Sequence, residues 1–390
     1  MIFENLIINH NVWTKIQKTF KNNKIPNAYI FSGIDGVGKE AHAIELAALL
    51  NCKRLNNNES NNACGDCRSC LRIKSFQHEE VHYIHPLPAL KNNKSSKKLI
   101  LDSATIEEIN KFQKQKIKNP YCQINLKGAN IIPINAIRDI KKKLFYTKGD
   151  NNWSVVIITE AEKLCLKRAE AANSLLKILE EPPENTLFIL ITSKINLITP
   201  TILSRCQKLF FPRLKDSTLN DFIVKENLEN SIKEGSIQLS HGNMRELHEI
   251  ISTDRVDNLK KIIKYFYSDK INNIEKLLST MNEINTKNKT EFLKYLSHLK
   301  ICTKDLYALS NNGSKNFINY EFLNQNYEQI SSLYPDSNWE KIINLLDECI
   351  RDSKNNINFT LSLYSLMINI QRCLKNSNYN ITKSELIKDI

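Results

Sequence analysis

Residues 28–40 read AYIFSGIDGVGKE, an apolar run that passes into three glycines, a lysine and the start of a helical pattern. This order of strand, glycine-rich turn and helix is the context of a phosphate-binding loop. Glycines let backbone N–H groups surround phosphates, and the N-terminus of the helix adds positive dipole. We therefore predict that Gly33, Gly36, Gly38 and Lys39 form a nucleotide phosphate site, with Lys39 reaching the outer phosphates.

The spacing of apolar residues changes along the chain. Apolar runs at 28–32, 155–159 (VVIIT), 187–192 (LFILIT) and 208–211 (KLFF) alternate with helical patterns. Strands buried on both faces of a parallel sheet have such runs, so residues 1–212 are predicted to be an α/β domain. Residues 213–252 are predicted to form a short helical stretch. From 253 to 390 apolar residues keep helical spacing only, which predicts an all-α domain.

Composition restricts the class of protein. Of the 390 residues 41% are hydrophobic and 25% are charged, as in a soluble globular protein. The N-terminus lacks the pattern of a secretion signal, and no apolar run reaches the ~20 residues of a membrane span. We expect a cytoplasmic protein with no membrane contact. The net charge of +13 fits a partner with a phosphate backbone.

Eight lysines concentrate in one segment, residues 91–118. A run of this kind is typical of a solvated insertion, and nothing in its sequence assigns it a function.

The two positions that normally contact Mg²⁺ in a nucleotide-hydrolysing protein are altered here. The phosphate loop ends in Glu40 where a Ser or Thr hydroxyl would bind the metal. After the strand 155–158, Thr159 stands where an Asp would provide the other contact, while Glu160 keeps the position of the carboxylate that polarises water. Both changes affect the same function, so we predict that the chain has lost ATP hydrolysis; nucleotide binding remains possible.

Four of the ten cysteines fall close together, at Cys52, Cys64, Cys67 and Cys70. Closely spaced thiolates can bind one tetrahedral ion, and four protein ligands leave no position for water. The spacing predicts a structural zinc site.

The segment His78-Glu79-Glu80-Val81-His82 matches the metalloprotease pattern H-E-x-x-H. That chemistry needs a helix, which places both histidines on one face. The segment continues into alternating residues and two prolines and so is predicted to be a strand followed by a loop. We reject a protease site.

The phosphate loop, the inserted cysteines and two further strings resemble the bacterial clamp-loader AAA+ proteins, which are the delta-prime and gamma/tau subunits of DNA polymerase III. The strings are ANSLLKILEEPP at 172–183 and TILSRC at 201–206. The resemblance covers residues 1 to about 250 and implies an AAA+ domain with an embedded zinc module. It also implies that residues 213–252 form a small helical lid and that the C-terminal helices form the collar of a ring of subunits.

The resemblance implies roles for particular residues. Arg205 would be an arginine finger that reaches the ATP site of a neighbouring subunit, and Thr192 and Arg245 would be the two nucleotide sensors. The altered Glu40 and Thr159 favour the delta-prime type of subunit, which does not hydrolyse ATP. Its partners would be the gamma/tau and delta subunits, with the sliding clamp and primed DNA reached through the complex.

Two other interpretations remain open. The first is an ATP-hydrolysing gamma/tau-type motor, which tolerates Glu40 and uses Glu160. The second is a stand-alone phosphate-loop nucleotide kinase, which the string at 204–206 and the all-helical C-terminal third disfavour.

Overall fold

The computed structural model of the chain describes residues 1–55, 62–88, 101–146, 152–166, 169–268, 271–287, 289–312, 318–354 and 359–375. Within them the chain divides into two compact units. The first comprises residues 1–227 and 242–246, and the second comprises 228–241 and the residues from 247 onward.

The described residues contain seven strands and sixteen α-helices. The strands are β1 Ala28–Gly33, β2 Val81–Ile84, β3 Leu87–Pro88, β4 Ala129–Ile131, β5 Ser154–Ile158, β6 Thr186–Thr192 and β7 Gln207–Phe211. The helices are α1 His10–Lys21, α2 Lys39–Asn51, α3 Arg68–Lys74, α4 Ser103–Lys118, α5 Ile134–Tyr146, α6 Glu170–Glu180, α7 Pro200–Leu203, α8 Asp216–Lys225, α9 Ser236–Ser240, α10 Met244–Ile251, α11 Arg255–Phe266, α12 Ile271–Lys287, α13 Lys289–Asn312, α14 Asn324–Leu333, α15 Trp339–Lys354 and α16 Phe359–Leu374.

The first unit is built on a five-stranded parallel sheet in the order β2-β5-β6-β1-β7. Every residue of β5 and β6 is buried, as the unbroken apolar runs predicted. Ser32 of β1 lies beside Thr192 of β6, and Ile158 of β5 lies beside Leu190. The carboxyl ends of these strands therefore meet at one edge of the sheet, where open α/β sheets bind their ligands. The predicted α/β class with a parallel sheet and a further all-α part is confirmed.

One face of the sheet packs against α5 and α6. The apolar sides of these helices are buried in one cluster with Val156, Phe188 and other sheet residues, and Ile137, Leu175 and Ile178 are each 1% exposed. Helix α2 is different, because eleven of its thirteen residues are buried. A helix buried on nearly all sides is held rigidly, and this fixes the phosphate loop that precedes it.

The second unit is helical throughout its described residues. Its core joins the predicted stripes of α11, α13, α15 and α16, for example Leu259, Leu296, Leu346 and Leu366. Among the described residues, none of the helices combines the length and apolar character needed to cross a membrane.

Buried polar groups of the second unit form networks. Asp305, which is fully buried, accepts hydrogen bonds from the backbone N–H groups of Asn319 and Tyr320 and from the Tyr327 hydroxyl. The Tyr320 hydroxyl lies 2.7 Å from ring nitrogens of both His241 and His298. Buried networks of this kind fix the geometry of a core, because a polar group left without a partner there is costly.

Candidate functional site

The phosphate loop has the backbone conformation that its glycines predicted. Gly36 and Gly38 have φ values of 70° and 87°, in the left-handed region that favours glycine. The loop also lacks room for side chains, since a Cβ added at Gly33 would lie 2.2 Å from the carbonyl oxygen of Phe211. Asn243 blocks Gly36 in the same way, at 1.6 Å from its Oδ1.

A pocket lies at this edge of the sheet and gathers most of the predicted nucleotide residues. Those that line it are Gly36, Gly38, Lys39, Glu40, Glu160, Thr192 and Arg245. Gly33 and Thr159 are not among the lining residues. The backbone N–H and hydroxyl of Thr159 both bond to the carbonyl oxygen of Ile84, which ties it to β2.

Lys39 lies across the loop and not out of it. Its Nζ donates to the carbonyl oxygens of Gly33 and Ile34, at 2.7 and 2.5 Å. Burial lowers the pKa of Lys39 to about 8, although the carboxylates of Asp35 and Glu40 oppose this shift. The lysine therefore stays largely protonated at neutral pH, with its ammonium group bound to its own loop.

Glu40 is paired with a cation that the sequence analysis did not identify. Its Oε2 lies 2.5 Å from Nζ of Lys116, at the end of α4, and only 3% of the Lys116 side chain is exposed. Burial raises the pKa of Glu40, but the charge and hydrogen bond of Lys116 outweigh burial and lower it overall. Glu40 is thus a carboxylate at neutral pH, held by an internal ammonium group.

The expectation that the lysine-rich segment is a solvated insertion is therefore wrong at Lys116. Helix α4 exposes Lys111, Lys114 and Lys118, whereas Lys116 is buried against the pocket. The lysines at 91, 94, 97 and 98 lie outside the described residues. Lys116 and Glu40 are 76 positions apart. The one sequence signal that pointed to such a partner was Glu40 itself, because a buried carboxylate needs a cation.

The predicted sensors have protein partners. Arg245 donates from Nε to the carbonyl oxygen of Tyr121 at 3.0 Å and from Nη1 to Oε1 of Gln123 at 2.5 Å. The hydroxyl of Thr192 donates to Oε2 of buried Glu162 at 2.6 Å. Tyr121, Gln123 and Glu162 carried no signal in the sequence that distinguished them.

Glu160 and Arg205 lie in different environments. Glu160 adopts the left-handed conformation, with φ at 48°, and pairs with Lys163 at 2.7 Å. Arg205 follows α7 and does not line the pocket. Its Nη2 lies 2.6 Å from Oε1 of Glu180, and its Nη1 donates to the carbonyl oxygen of Thr201.

A magnesium–nucleotide does not fit this pocket as it stands. The cavity has a volume of about 30 Å³, whereas ligand pockets usually measure about 300–1,000 Å³. The hydroxyl and aspartate that would contact the metal are replaced by Glu40 and Thr159, and the carboxylate of Glu40 already binds Lys116. The residues present therefore do not form the usual metal position.

The four predicted zinc ligands come together in the first unit. Their Sγ atoms all lie within 4.8 Å of one another, and those of Cys64 and Cys70 are 3.9 Å apart. A tetrahedral zinc ion with Zn–S bonds near 2.3 Å requires sulfur atoms about 3.8 Å apart. The group therefore fits one metal ion.

Backbone N–H groups point at the sulfur atoms. The N–H of Cys64 donates to Cys52 Sγ, that of Cys67 to Cys64 Sγ, and that of Cys70 to Cys67 Sγ. Burial raises the pKa of Cys67, but N–H donors, among them that of Cys70, outweigh burial and lower it to about 6. The donors to Cys67 stabilise its thiolate, the form that binds metal, whereas burial raises the pKa of the Cys64 and Cys70 thiols.

The rejected protease pattern is not helical. Val81 and His82 belong to β2, and His78, Glu79 and Glu80 precede that strand. The ring of His78 instead lies 3.0 Å from the hydroxyl of Ser69. The predicted strand is confirmed, and the two histidines do not share a helix face.

Comparison with known proteins places the chain in a family. The sequence model described as "DNA polymerase III, delta subunit" matches residues 8–215, more than half of the chain. The chain belongs to this family. It is 26% identical over 252 residues to DNA polymerase III subunit delta' of Bacillus subtilis, covering 64% of this chain and 62% of that protein. It is 27% identical to subunit tau of the same organism, covering 63% of this chain and 36% of tau.

Further relatives extend over more of the chain. The gamma/tau subunit of Mycoplasma genitalium is 26% identical over 372 residues, which is 93% of this chain and 52% of that protein. This chain therefore spans between about a third and two thirds of the length of these curated relatives. A solved gamma subunit-related protein of Thermotoga maritima is 16% identical with a TM-score of 0.40, covering 93% of this chain and 99% of that one.

Proposed function

We propose that this chain is a subunit of the DNA polymerase III clamp loader and that it is of the delta-prime type, which does not hydrolyse ATP. The observation that carries the choice of type is the Glu40–Lys116 ion pair in place of a metal-binding hydroxyl. The loss of the aspartate at Thr159 supports it independently. Family membership supports the broader assignment, and the relatives include both delta' and gamma/tau subunits.

The chain would act through a neighbour's active centre. Arg205 pairs with Glu180, but these side chains are 36% and 50% exposed. Exposed ion pairs contribute about 0–1 kcal/mol, so a γ-phosphate on another subunit can take the guanidinium from Glu180 at little cost. An arginine supplied in trans stabilises charge that develops on the phosphoryl group.

The remaining partners and cofactors follow from the same proposal. The helices beyond residue 253 would form the collar that joins gamma/tau and delta subunits, and residues 213–252 would be the lid. The sliding clamp and primed DNA would be reached through the complex, helped by the positive charge. The cysteine cluster would hold structural zinc, and the complex would work in the cytoplasm.

Arg205→Ala tests the role in trans. The isolated variant should remain folded, while the assembled clamp loader should turn over ATP at least about tenfold more slowly, given the usual weight of such arginines. Arg213→Ala removes another exposed arginine of the same unit and serves as the control. Equal turnover of the Arg205 variant and wild-type assemblies would remove the assignment.

A gamma/tau-type motor is the second candidate, because Glu160 keeps the position of the catalytic carboxylate and lines the pocket. ATP turnover by the isolated chain, abolished by Lys39→Ala, would establish it.

A further inference from the structure

Lys116 brings the positive charge of the lysine-rich helix into the phosphate-loop pocket. We propose that its ammonium group takes the place of the divalent cation there and keeps the pocket closed to a magnesium–nucleotide. The inference rests on the proposed non-hydrolysing function and deepens it, since it assigns the closure to one residue outside the nucleotide motifs. The pocket closure is tested on the isolated chain, whereas the role of Arg205 is tested on the assembled loader. One proposal can therefore fail while the other holds.

The hydrogen bonds of Lys116 show whether its ammonium group binds the protein or is directed toward a phosphate. An ammonium group has three N–H donors. Those of Lys116 are directed to Oε2 of Glu40, to the carbonyl oxygen of Cys122 at 2.5 Å and to that of Pro120 at 3.4 Å. All three acceptors belong to the protein, so this cation holds the pocket together and offers no donor to a phosphate.

The chain that follows Lys116 also lines the pocket, through Pro120, Tyr121 and Gln123. We call residues 116–123 the closing segment. Within it, the carbonyl oxygen of Tyr121 and the side chain of Gln123 accept the hydrogen bonds of Arg245. Tyr121 is 2% exposed, and its hydroxyl accepts a hydrogen bond from the backbone N–H of Ile7 at 2.8 Å. The closing segment is thus fastened on both sides of the phosphate loop.

All three cations that line the pocket are therefore bound to protein oxygens. Lys39 donates to its own loop, Arg245 to the closing segment, and Lys116 to Glu40 and the closing segment. A nucleotide must displace these acceptors before its phosphates can bind. The apparent affinity falls by the fraction of molecules in which the pocket is open.

Removing the Glu40–Lys116 ion pair should open the pocket to a magnesium–nucleotide. A carboxylate beside a phosphate repels it, whereas a hydroxyl at the same position binds Mg²⁺. The double variant Glu40→Ser/Lys116→Met removes both charges, keeps most of the aliphatic stem of the lysine and restores that hydroxyl. Because neither charge is left unpaired, this variant should remain folded, which circular dichroism would check.

The experiment is a calorimetric titration of ATP into the full chain, with Mg²⁺ and again with EDTA. Lys114→Met, a change at an exposed lysine of the same helix, is the control. Wild type and control should show no saturable binding of Mg-ATP. The double variant should bind it saturably, with a dissociation constant at least about tenfold below the highest ATP concentration at which wild type fails to saturate. That gain should disappear with EDTA.

Two results would overturn the proposal. One is a double variant that is folded and binds Mg-ATP no better than wild type. The other needs no variant: it is wild-type protein that binds Mg-ATP saturably.

Discussion

Replacing Lys116 by methionine tests the energetic weight of the buried pair. The change removes the ammonium group and leaves Glu40, whose side chain is 15% exposed, without its counter-charge. Breaking a buried ion pair from one side costs about 3–5 kcal/mol, because the remaining charge is left desolvated. The free energy of unfolding of the first unit should fall by that amount at pH 8.

The sign of the pH dependence follows from the pKa of Glu40. In the wild-type protein Lys116 lowers this pKa, so the pair contributes stability at neutral pH that is lost only as the pH falls below the ordinary carboxyl range. Without Lys116, burial raises the pKa of Glu40 against only the weaker opposing charges of Arg245 and Lys39, and protonation then relieves the unpaired charge. The destabilisation should therefore shrink between pH 8 and pH 5, by about 1.4 kcal/mol for each unit of the rise.

The measurement is urea unfolding at the two pH values, with hydrogen exchange of peptides from α2 and α4 to report on the first unit. Glu40→Gln and the double variant Glu40→Gln/Lys116→Met complete the cycle. Because the two residues are in contact, the double change should cost less than the sum of the single changes, by about 1–3 kcal/mol. Additive costs, together with the same loss at pH 5 and pH 8, would refute the reasoning.

Three further outcomes are expected. Elemental analysis should find one zinc ion per chain in the wild-type protein and none in Cys64→Ser, whose melting temperature should be lower, while Cys165→Ser should match wild type in both; zinc in the Cys64 variant at the wild-type level would exclude the site. His42 accepts the N–H of Asn9, and burial lowers its pKa to about 4 from 6.5. The unfolded chain therefore binds more protons between pH 4 and 6.5, and stability should fall by about 3 kcal/mol as the pH drops through that window; unfolding of His42→Gln at several pH values should show this part of the loss removed, and an unchanged profile would contradict it. Asp305→Asn should destabilise the second unit by about 2–4 kcal/mol, measured by thermal unfolding, because fixed N–H and O–H donors then face a neutral amide; a loss below about 0.5 kcal/mol would contradict the network.

The sheet could be predicted because each of its buried strands has a recognisable pattern in its own short stretch of sequence. Buried strands are unbroken apolar runs. The predicted run at 155–159 differs by one residue at each end from β5 Ser154–Ile158, and the run at 187–192 differs by one residue at its start from β6 Thr186–Thr192. The phosphate loop could be predicted for a similar reason: glycine itself favours the left-handed backbone conformation that the loop needs. The cysteine cluster could be predicted as well, because cysteines separated by few residues lie close together in most folds.

The contents of the pocket could not be predicted in this way. Lys116 is one lysine among eight in its segment, and its burial is decided by where α4 ends relative to the phosphate loop. The partners of Arg245 lie more than a hundred residues earlier in the chain. Such contacts depend on tertiary packing, which leaves no periodic trace in a single sequence.

Gly36 shows how a binding motif can outlast its ligand. The backbone N–H of Met244 donates to the carbonyl oxygen of Gly36 at 3.0 Å, and the Asn243 side chain occupies the space where any Cβ would stand. A chain folded in this manner must therefore retain the glycine as a crossing point between two backbone segments, whether or not phosphate ever arrives. Selection for folding alone would preserve Gly36. The presence of this glycine in a sequence therefore indicates the fold, whereas nucleotide binding and hydrolysis have to be shown by other observations.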